Sequence, residues 1–496
     1  MLPQTEDPPN EAASDHHSDP GAPKPTPMEF EDSVLDPTAT DPILAAKMAL
    51  LNTAIDEIGM TPWQWTLFLL NGFGYAVDSL LIVCQSIAQP AVAQEFPQPS
   101  TRIQGVALAS QIGLLHVRLR HIRVDRGRMP GYVSFCAMVA VYSAGAGGNY
   151  ILDATSLIEF LPATHVWLVT FMAVWWAVGS TVTGLLAWGF MANFSCEPDA
   201  LQCFSRDNMG WRLLHFTAGG LVLLLSILRL AVIKMPHTPK WLVSQNRDQE
   251  AFNILDLLSR RYHRKLSLSL EELQSQGRVL NTELSVWSTQ RLRQHFSGLF
   301  RSKLLAYSTT MIIANWFVVG AVTPLYTSFL PFYLASRGAA TGDDSSSTTW
   351  RNYAINQISG LFGPVIAGIL VETRFFGRKG TLAFGALITM ILQFGYTQIK
   401  TPTQNLAVSS AITAASNIYY GTIYAYTPEV LPSAHRATGY GICVVMNRVG
   451  GIVGVLIGSY ANVETVVPLF VCAGLFGALI VLSLMLPFES RGKRSV

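Results

Sequence analysis

Charge is what this chain has least of. Lys, Arg, Asp and Glu together make up 13% of its 496 residues, about half the share of an ordinary soluble domain. A solvated globular surface is therefore excluded for most of the length. The charges nearly cancel, at +2, and no basic stretch is interleaved with aromatics, so the footprint of a nucleic-acid partner is missing. Six cysteines are too few for a disulfide scaffold or a zinc framework. Residues 1–46 hold no apolar core of the length a cleavable signal peptide needs. The His-x-x-x-His pair, the Gly-x-Ser-x-Gly elbow and the phosphate loop are all absent. No enzyme, no cofactor and no resident metal is expected.

Long hydrophilic runs are scarce too, and the one in the interior, Pro236–Lys303, orients the rest. It carries eleven Lys/Arg against six acids, with basic residues nearest the flanking apolar segments. Basic loops stay inside the cell, so this loop is expected in the cytosol. Two hydrophobic halves around it, 61–235 and 304–488, read as the two helical bundles of a transporter. Residues 1–40, rich in Pro, Asp, Glu and Ser, read as a disordered cytosolic tail, and 489–496 as a short second one. Between tail and first span, Leu44, Met48, Leu51, Ile55 and Ile58 recur at helical spacing, which predicts an amphipathic helix over 41–60.

What is present in quantity is apolar residues, half of the total. Spans are predicted at Trp63–Pro90, Tyr132–Ile151, His165–Met191 and Trp211–Lys234. After the loop, others follow at Ala306–Leu334, Tyr353–Val371, Thr381–Tyr396, Leu406–Tyr426, Gly439–Tyr460 and Val466–Pro487. Ile103–Val117 is apolar but short of the roughly twenty residues needed to cross. It runs into five arginines within Arg118–Arg128, which cannot replace a span in hydrocarbon. Counting crossings forward from the amino terminus and backward from the loop gives answers one crossing apart. A span is expected to be missing between Leu115 and Tyr132, leaving about eleven hydrophobic helices. The sequon at Asn193 and the pair Cys196 and Cys203 place the loop after His165–Met191 outside the cell.

Polar groups inside spans are expensive and mark pathways or packing. Asp78, in the middle of the first span, is the candidate proton-coupling carboxylate. The alternative is a packing acid paired with an intramembrane cation such as Arg448. Asn149, Asp153, Gln357, Asn417 and Tyr420 are candidate solute-lining residues. Trp175 and Trp176 either stack on a sugar ring or fill the bundle. Glu159-Phe160-Leu161-Pro162 and Glu429-Val430-Leu431-Pro432 follow spans in equivalent positions, which suggests a duplication. Glu159, Glu372, Arg378, Glu429 and Arg436 are the candidate cytosolic gate, because an acid at a helix end can lock to a basic pair across a tight turn. Plain topogenic charge is the alternative.

The pattern Gly368-x3-Glu372-x4-Gly377-Arg378-Lys379 resembles the loop motif of the major facilitator superfamily. Tyr426–Pro432 with Arg436 is similar to the signature that sugar porters carry after span ten. Asn71–Ser79, Gly145–Asp153 with Glu159-Phe160, and Phe329–Leu334 resemble fungal facilitators related to sugar porters and synaptic-vesicle-2-like proteins. The resemblance covers about residues 41–490 except Leu115–Gly131, where the family places its third span. It implies an all-α membrane protein of two bundles, twelve spans in the family and eleven here. It also implies alternating-access transport of a small sugar-like or carboxylate-like solute with protons, by a monomer in the lipid bilayer of the plasma membrane. A non-transporting membrane protein, either a sensor or a defective relative of such a transporter, is the rival reading.

Overall fold

The computed structural model describes residues 42–96, 132–196, 203–232, 237–279, 289–336, 346–433, 435–460 and 467–491. Among the described residues every regular element is a helix. The tail 1–40, the short apolar stretch at Ile103–Val117 and the arginines that follow it lie outside them.

The first half opens with α1 (Pro42–Ile58), in which all five periodic apolar positions are buried. Then come α2 (Pro62–Glu95), α3 (Tyr132–Phe160), the short α4 (Trp167–Phe171), α5 (Ala173–Phe194) and α6 (Gly210–Val232). The loop folds into α7 (Pro239–Ser244), α8 (Asp248–Arg261), α9 (Leu270–Ser275) and α10 (Thr289–Gly298). The second half comprises α11 (Lys303–Ser336), α12 (Ser346–Ser359), α13 (Phe362–Glu372) and α14 (Gly377–Tyr396), then α15 (Pro402–Val430), α16 (Arg436–Tyr460) and α17 (Val467–Leu484). Among the described residues, seven helical segments are long and apolar enough to cross a membrane. Two expected spans are each built from two helices, α4 with α5 and α12 with α13.

The halves repeat each other locally. α2 begins with a capping box between Thr61 and Gln64 and a proline at its first position. α15 begins with the same device at Thr401, Pro402 and Gln404. Proline there loses nothing, because that N–H has no intrahelical partner. α3 and α15 both end one residue after a glutamate, at Phe160 and Val430, because Pro162 and Pro432 bar the preceding residue from helical geometry. The internal echo therefore places Glu159 and Glu429 alike, at the last turn.

Small residues let helices meet at backbone distance. A Cβ built at Gly450 of α16 would lie 2.1 Å from the Phe317 carbonyl oxygen of α11, so only glycine fits. On the side opposite the loop, Leu80, Cys84 and Ile87 of α2 pack with Met191, Trp211 and Leu214, and Trp350 and Tyr353 of α12 close over them. Glu95 fastens this end. It accepts from Arg212 Nη1 at 2.7 Å, Trp211 Nε1 at 3.1 Å and Ser205 Oγ at 2.6 Å. Burial alone would raise the Glu95 carboxyl, but Arg212, Ser205 and Trp211 outweigh it and hold it below its ordinary value. Cys196 and Cys203 form a disulfide just past α5.

On the loop side a separate small core joins α1 to the loop helices, with Leu51 and Ile55 against Leu242, Leu255 and Leu273. Inside it Lys47 Nζ bonds Asp248 Oδ2 at 2.6 Å, with the lysine fully buried. The chain before the first span and the chain after α6 are thus one folded unit.

Candidate functional site

The charges expected at the gate converge at the loop end of the bundle. α14 starts at Gly377, whose φ of +56° suits glycine. That turn aims the N–H groups of Arg378 and Lys379 at the carboxylate of Glu489, 2.8 and 3.2 Å away. The Arg378 side chain, 1% exposed, then reaches three ways. Its Nη2 and Nε meet the two oxygens of Glu429 at 3.1 and 3.2 Å, a forked pair. Its Nη1 meets Glu372 Oε1 at 3.1 Å and the Val371 carbonyl at 3.2 Å. Glu429 also accepts from Ser490 Oγ at 2.6 Å. One guanidinium therefore ties the ends of α13 and α15 to the start of α14.

Arg436, also 1% exposed, reaches out of its own half. Its Nη1 bonds Glu159 Oε1 of α3 at 3.3 Å, and its Nη2 bonds Ser433 Oγ at 3.0 Å. All five expected gate residues are in this assembly, and the Glu159–Arg436 pair is where it crosses between halves. His435, next in sequence, shares a proton position with His295 of α10, Nδ1 to Nδ1 at 2.9 Å. Burial, then His295 and Arg301, push the His435 imidazole down to about 4.

A second grouping lies within the bundle, where α12 gives way to α13. Gly360 and Leu361 bond back three residues, to Gln357 and Ile358, instead of four. The Gly360 carbonyl freed by this break accepts from Asn417 Nδ2 of α15 at 3.2 Å. The Gln357 carbonyl accepts from Thr181 Oγ1 of α5 at 3.1 Å. Broken helices with side chains answering the freed carbonyls are how transporters build midspan sites. Gln357 and Asn417 thus come together, and Gln357 faces the other half across Gly184, where a Cβ would be 3.2 Å from Gln357 Cγ. Tyr420, one turn along α15 from Asn417, bonds Thr323 Oγ1 at 2.6 Å.

The other expected residues are placed elsewhere. Asp78 is buried in α2, beside the crossing where a Cβ at Gly179 of α5 would lie 2.1 Å from Ser79 Oγ. Asp153 is fully buried and paired with Arg229 of α6, whose Nη1 is 3.3 Å from Oδ2. Asn71 Nδ2 also donates to the Asp153 carbonyl at 3.0 Å. Arg448 is half-buried on α16 next to Asn447, which bonds the Trp316 carbonyl at 3.1 Å. The side chain of Asn149 lies outside the described residues. Trp175 packs on Gly72, with Phe73 edge-on at 5.4 Å. Among the described residues no cluster of three or more metal-ligating side chains occurs.

Glu489, Ser490 and Arg229 are the partners that sequence reasoning passed over. Arg229 falls within a predicted apolar span, and Glu489-Ser490 at the start of the predicted carboxyl-terminal tail. The one available signal was an acid at position 489 just past the last span, where basic residues dominate.

A model described as Major Facilitator Superfamily matches residues 105–455. A protein named MFS siderochrome iron transporter 1, from Ceriporiopsis subvermispora, is 36% identical over 490 positions, covering 92% of this chain and 93% of the relative. The synaptic vesicle 2-related protein of Rattus norvegicus is 24% identical over 475 positions, covering 90% and 82%. Among solved structures, the proton:xylose symporter XylE is similar with a TM-score of 0.52 and 17% identity, covering 91% and 93%. That likeness concerns the fold.

Proposed function

Because the chain belongs to the Major Facilitator Superfamily, we propose that it moves a small organic solute across the plasma membrane by alternating access, coupled to protons. The observation that carries this reading is the buried Glu159–Arg436 pair between the halves, set beside the forked Arg378–Glu429 pair. Closed, these pairs seal the cytosolic side. Opening that side must separate Glu159 from Arg436 and admit water to replace the lost contacts. Removing one partner of a buried pair strands the other, at about 3–5 kcal/mol. A reversible gate therefore has to open to solvent, which is what a transport cycle supplies.

In this reading the solute lies at the break between α12 and α13, against Gln357, Asn417 and Tyr420, and Asp78 takes up and releases the coupled proton. The solute is sugar-like or carboxylate-like, and the siderochrome named for one relative adds ferric chelates to the test panel. The test is uptake into proteoliposomes under an imposed pH gradient. Asp78→Asn should abolish accumulation against a gradient while the variant still folds. Concentrative uptake by that variant would remove Asp78 from the coupling role. Glu159→Gln should leave binding in place but slow exchange.

A second reading is that the chain as written does not transport because it lacks the third span. Two observations favour it. The pairing with the siderochrome transporter runs over 490 positions while using 92% of these 496 residues, so the relative carries residues with no counterpart here. And α6, past Ala218, has no described residue that is buried. Saturable uptake by this exact chain would end that reading.

A further inference from the structure

We infer that the carboxyl end of α8 forms a seat for anionic phospholipid headgroups, built from Leu257, Arg261, Arg264 and Lys265 beside the start of the first span. The placement comes from three contacts. Lys47, near the start of α1, pairs with Asp248 at the start of α8. Glu57, near the end of α1, accepts from the backbone N–H and Oγ of Ser267 at 2.8 and 2.6 Å, just past the end of α8. Arg264 Nη2 donates to the Met60 carbonyl at 3.3 Å. α8 therefore runs alongside α1 in the same direction, and its basic end arrives where the chain turns into α2.

Met60 stands two residues before Pro62, and Trp65, on the first turns of α2, is 44% exposed. Tryptophan at a span end marks the headgroup layer. The basic run thus sits level with phosphates. The turn that presents it is built locally: His263 takes a positive φ of 52°, Arg264 N–H closes on the Ser259 carbonyl at 2.9 Å, and Ser259 Oγ bonds the Arg264 carbonyl at 2.6 Å.

Of the acids nearby, Asp256 pairs with Arg260 at 2.9 Å, and Glu57, whose hydrogen bonds go to Ser267, also attracts Lys265 electrostatically. Arg261, Arg264 and Lys265 remain exposed, and the contact shown for Arg264 is a neutral carbonyl. Leu257, one turn before Arg261 on the same face, is 64% exposed. An exposed leucine among basic residues at headgroup height is the pattern of a helix resting on an anionic leaflet.

The test uses the full chain in phosphatidylcholine nanodiscs, titrated with phosphatidylserine and read by thermal unfolding. Phosphatidylserine should raise the midpoint, and rising salt should reduce the gain. Each basic residue removed should weaken the lipid's apparent affinity about fivefold, and Arg261→Gln, Arg264→Gln and Lys265→Gln together about a hundredfold. Leu257→Ser should weaken it further without changing its salt dependence. Arg278→Gln with Arg374→Gln, exposed basic residues elsewhere, should change nothing. An equal loss in that control, or an undiminished gain in the triple variant, would overturn the seat. If inorganic phosphate alone reproduces the gain in phosphatidylcholine discs, the site takes free anions and the lipid assignment fails. Should the triple variant not fold, Arg261→Lys with Arg264→Lys must keep the gain, and its loss there counts against the seat.

Discussion

α17 and α6 close the two halves of the molecule and make opposite use of similar residues. α17 keeps a buried stripe along its length, through Leu469, Cys472, Phe476, Leu479 and Ser483, because α14 and α11 pack against it. In α6 burial stops at Ala218, and Phe216, Leu223 and Ile227 are 75%, 63% and 55% exposed. Apolarity alone therefore did not decide which helix was sheathed. In lipid there is no hydrophobic gain in bringing two apolar helices together, so a helix is covered only where a neighbour offers shape and backbone approach. In the proposed reading that the chain lacks its third span, the counterpart of α14 is the segment that would cover α6.

The largest expected effect is on that difference itself. Inserting the corresponding span-length segment of the siderochrome transporter relative between residues 118 and 131 should bring saturable solute uptake up from background. It should also protect the region around Gly219 from hydrogen exchange. If uptake and exchange are unchanged, α6 is finished as it stands and the two halves are not equivalent.

The charge cluster at the loop end offers a finer contrast. Glu159→Ala strands the buried Arg436, whose other bond is to the Ser433 hydroxyl, and should cost about 3–5 kcal/mol in unfolding free energy. Glu429→Ala leaves Arg378 its bonds to Glu372 and the Val371 carbonyl and should cost about 1–3 kcal/mol. Equal losses in denaturant titrations would mean that the two echo glutamates carry the same load. Glycines sharpen the contrast again. Gly450→Ala must push against the Phe317 carbonyl and should cost about 1–3 kcal/mol. Gly219→Ala meets nothing within 4 Å and should gain up to about 1 kcal/mol of helix propensity. A loss at Gly219 would reveal a neighbour there.

The smallest effect is with pH. His435 is held down to about 4 in the fold, against an ordinary value of about 6.5. The unfolded chain therefore binds the proton first as pH falls. Stability present above pH ~6.5 should fall as pH drops toward the folded value, and His435→Gln should flatten that part of the midpoint-against-pH curve. A slope unaffected by this substitution would assign the loss to other groups.

The gathering of these charges at helix ends was legible because its chemistry is local. Gly377-Arg378 and Glu429 fall at helix ends that the glycine and Pro432 impose, and a glutamate at such an end has few places to go. The amphipathic face of α1 was legible from spacing, but its partners were not. The pairing of Lys47 with Asp248 spans 201 residues, and no periodicity points from one to the other. Asp153 illustrates the same limit. An acid in a span must be paired or hydrated, yet only the placement of α6 beside Asp153 selects Arg229.

The sequence by itself determined that this is a membrane chain of apolar helices around a basic loop, since length, hydropathy and charge suffice when each backbone must satisfy its own hydrogen bonds in lipid. The Thr-Pro starts of α2 and α15 and the Leu-Pro stops of α3 and α15 are local too, although spans read from hydropathy end short of those stops, at Ile151 and Tyr426. Tertiary structure alone decided which buried charge meets which, where α12 breaks to answer Asn417, and that burial in α6 stops at Ala218. Those outcomes depend on distances between segments far apart in the chain, and pairwise geometry is not written in any one of them.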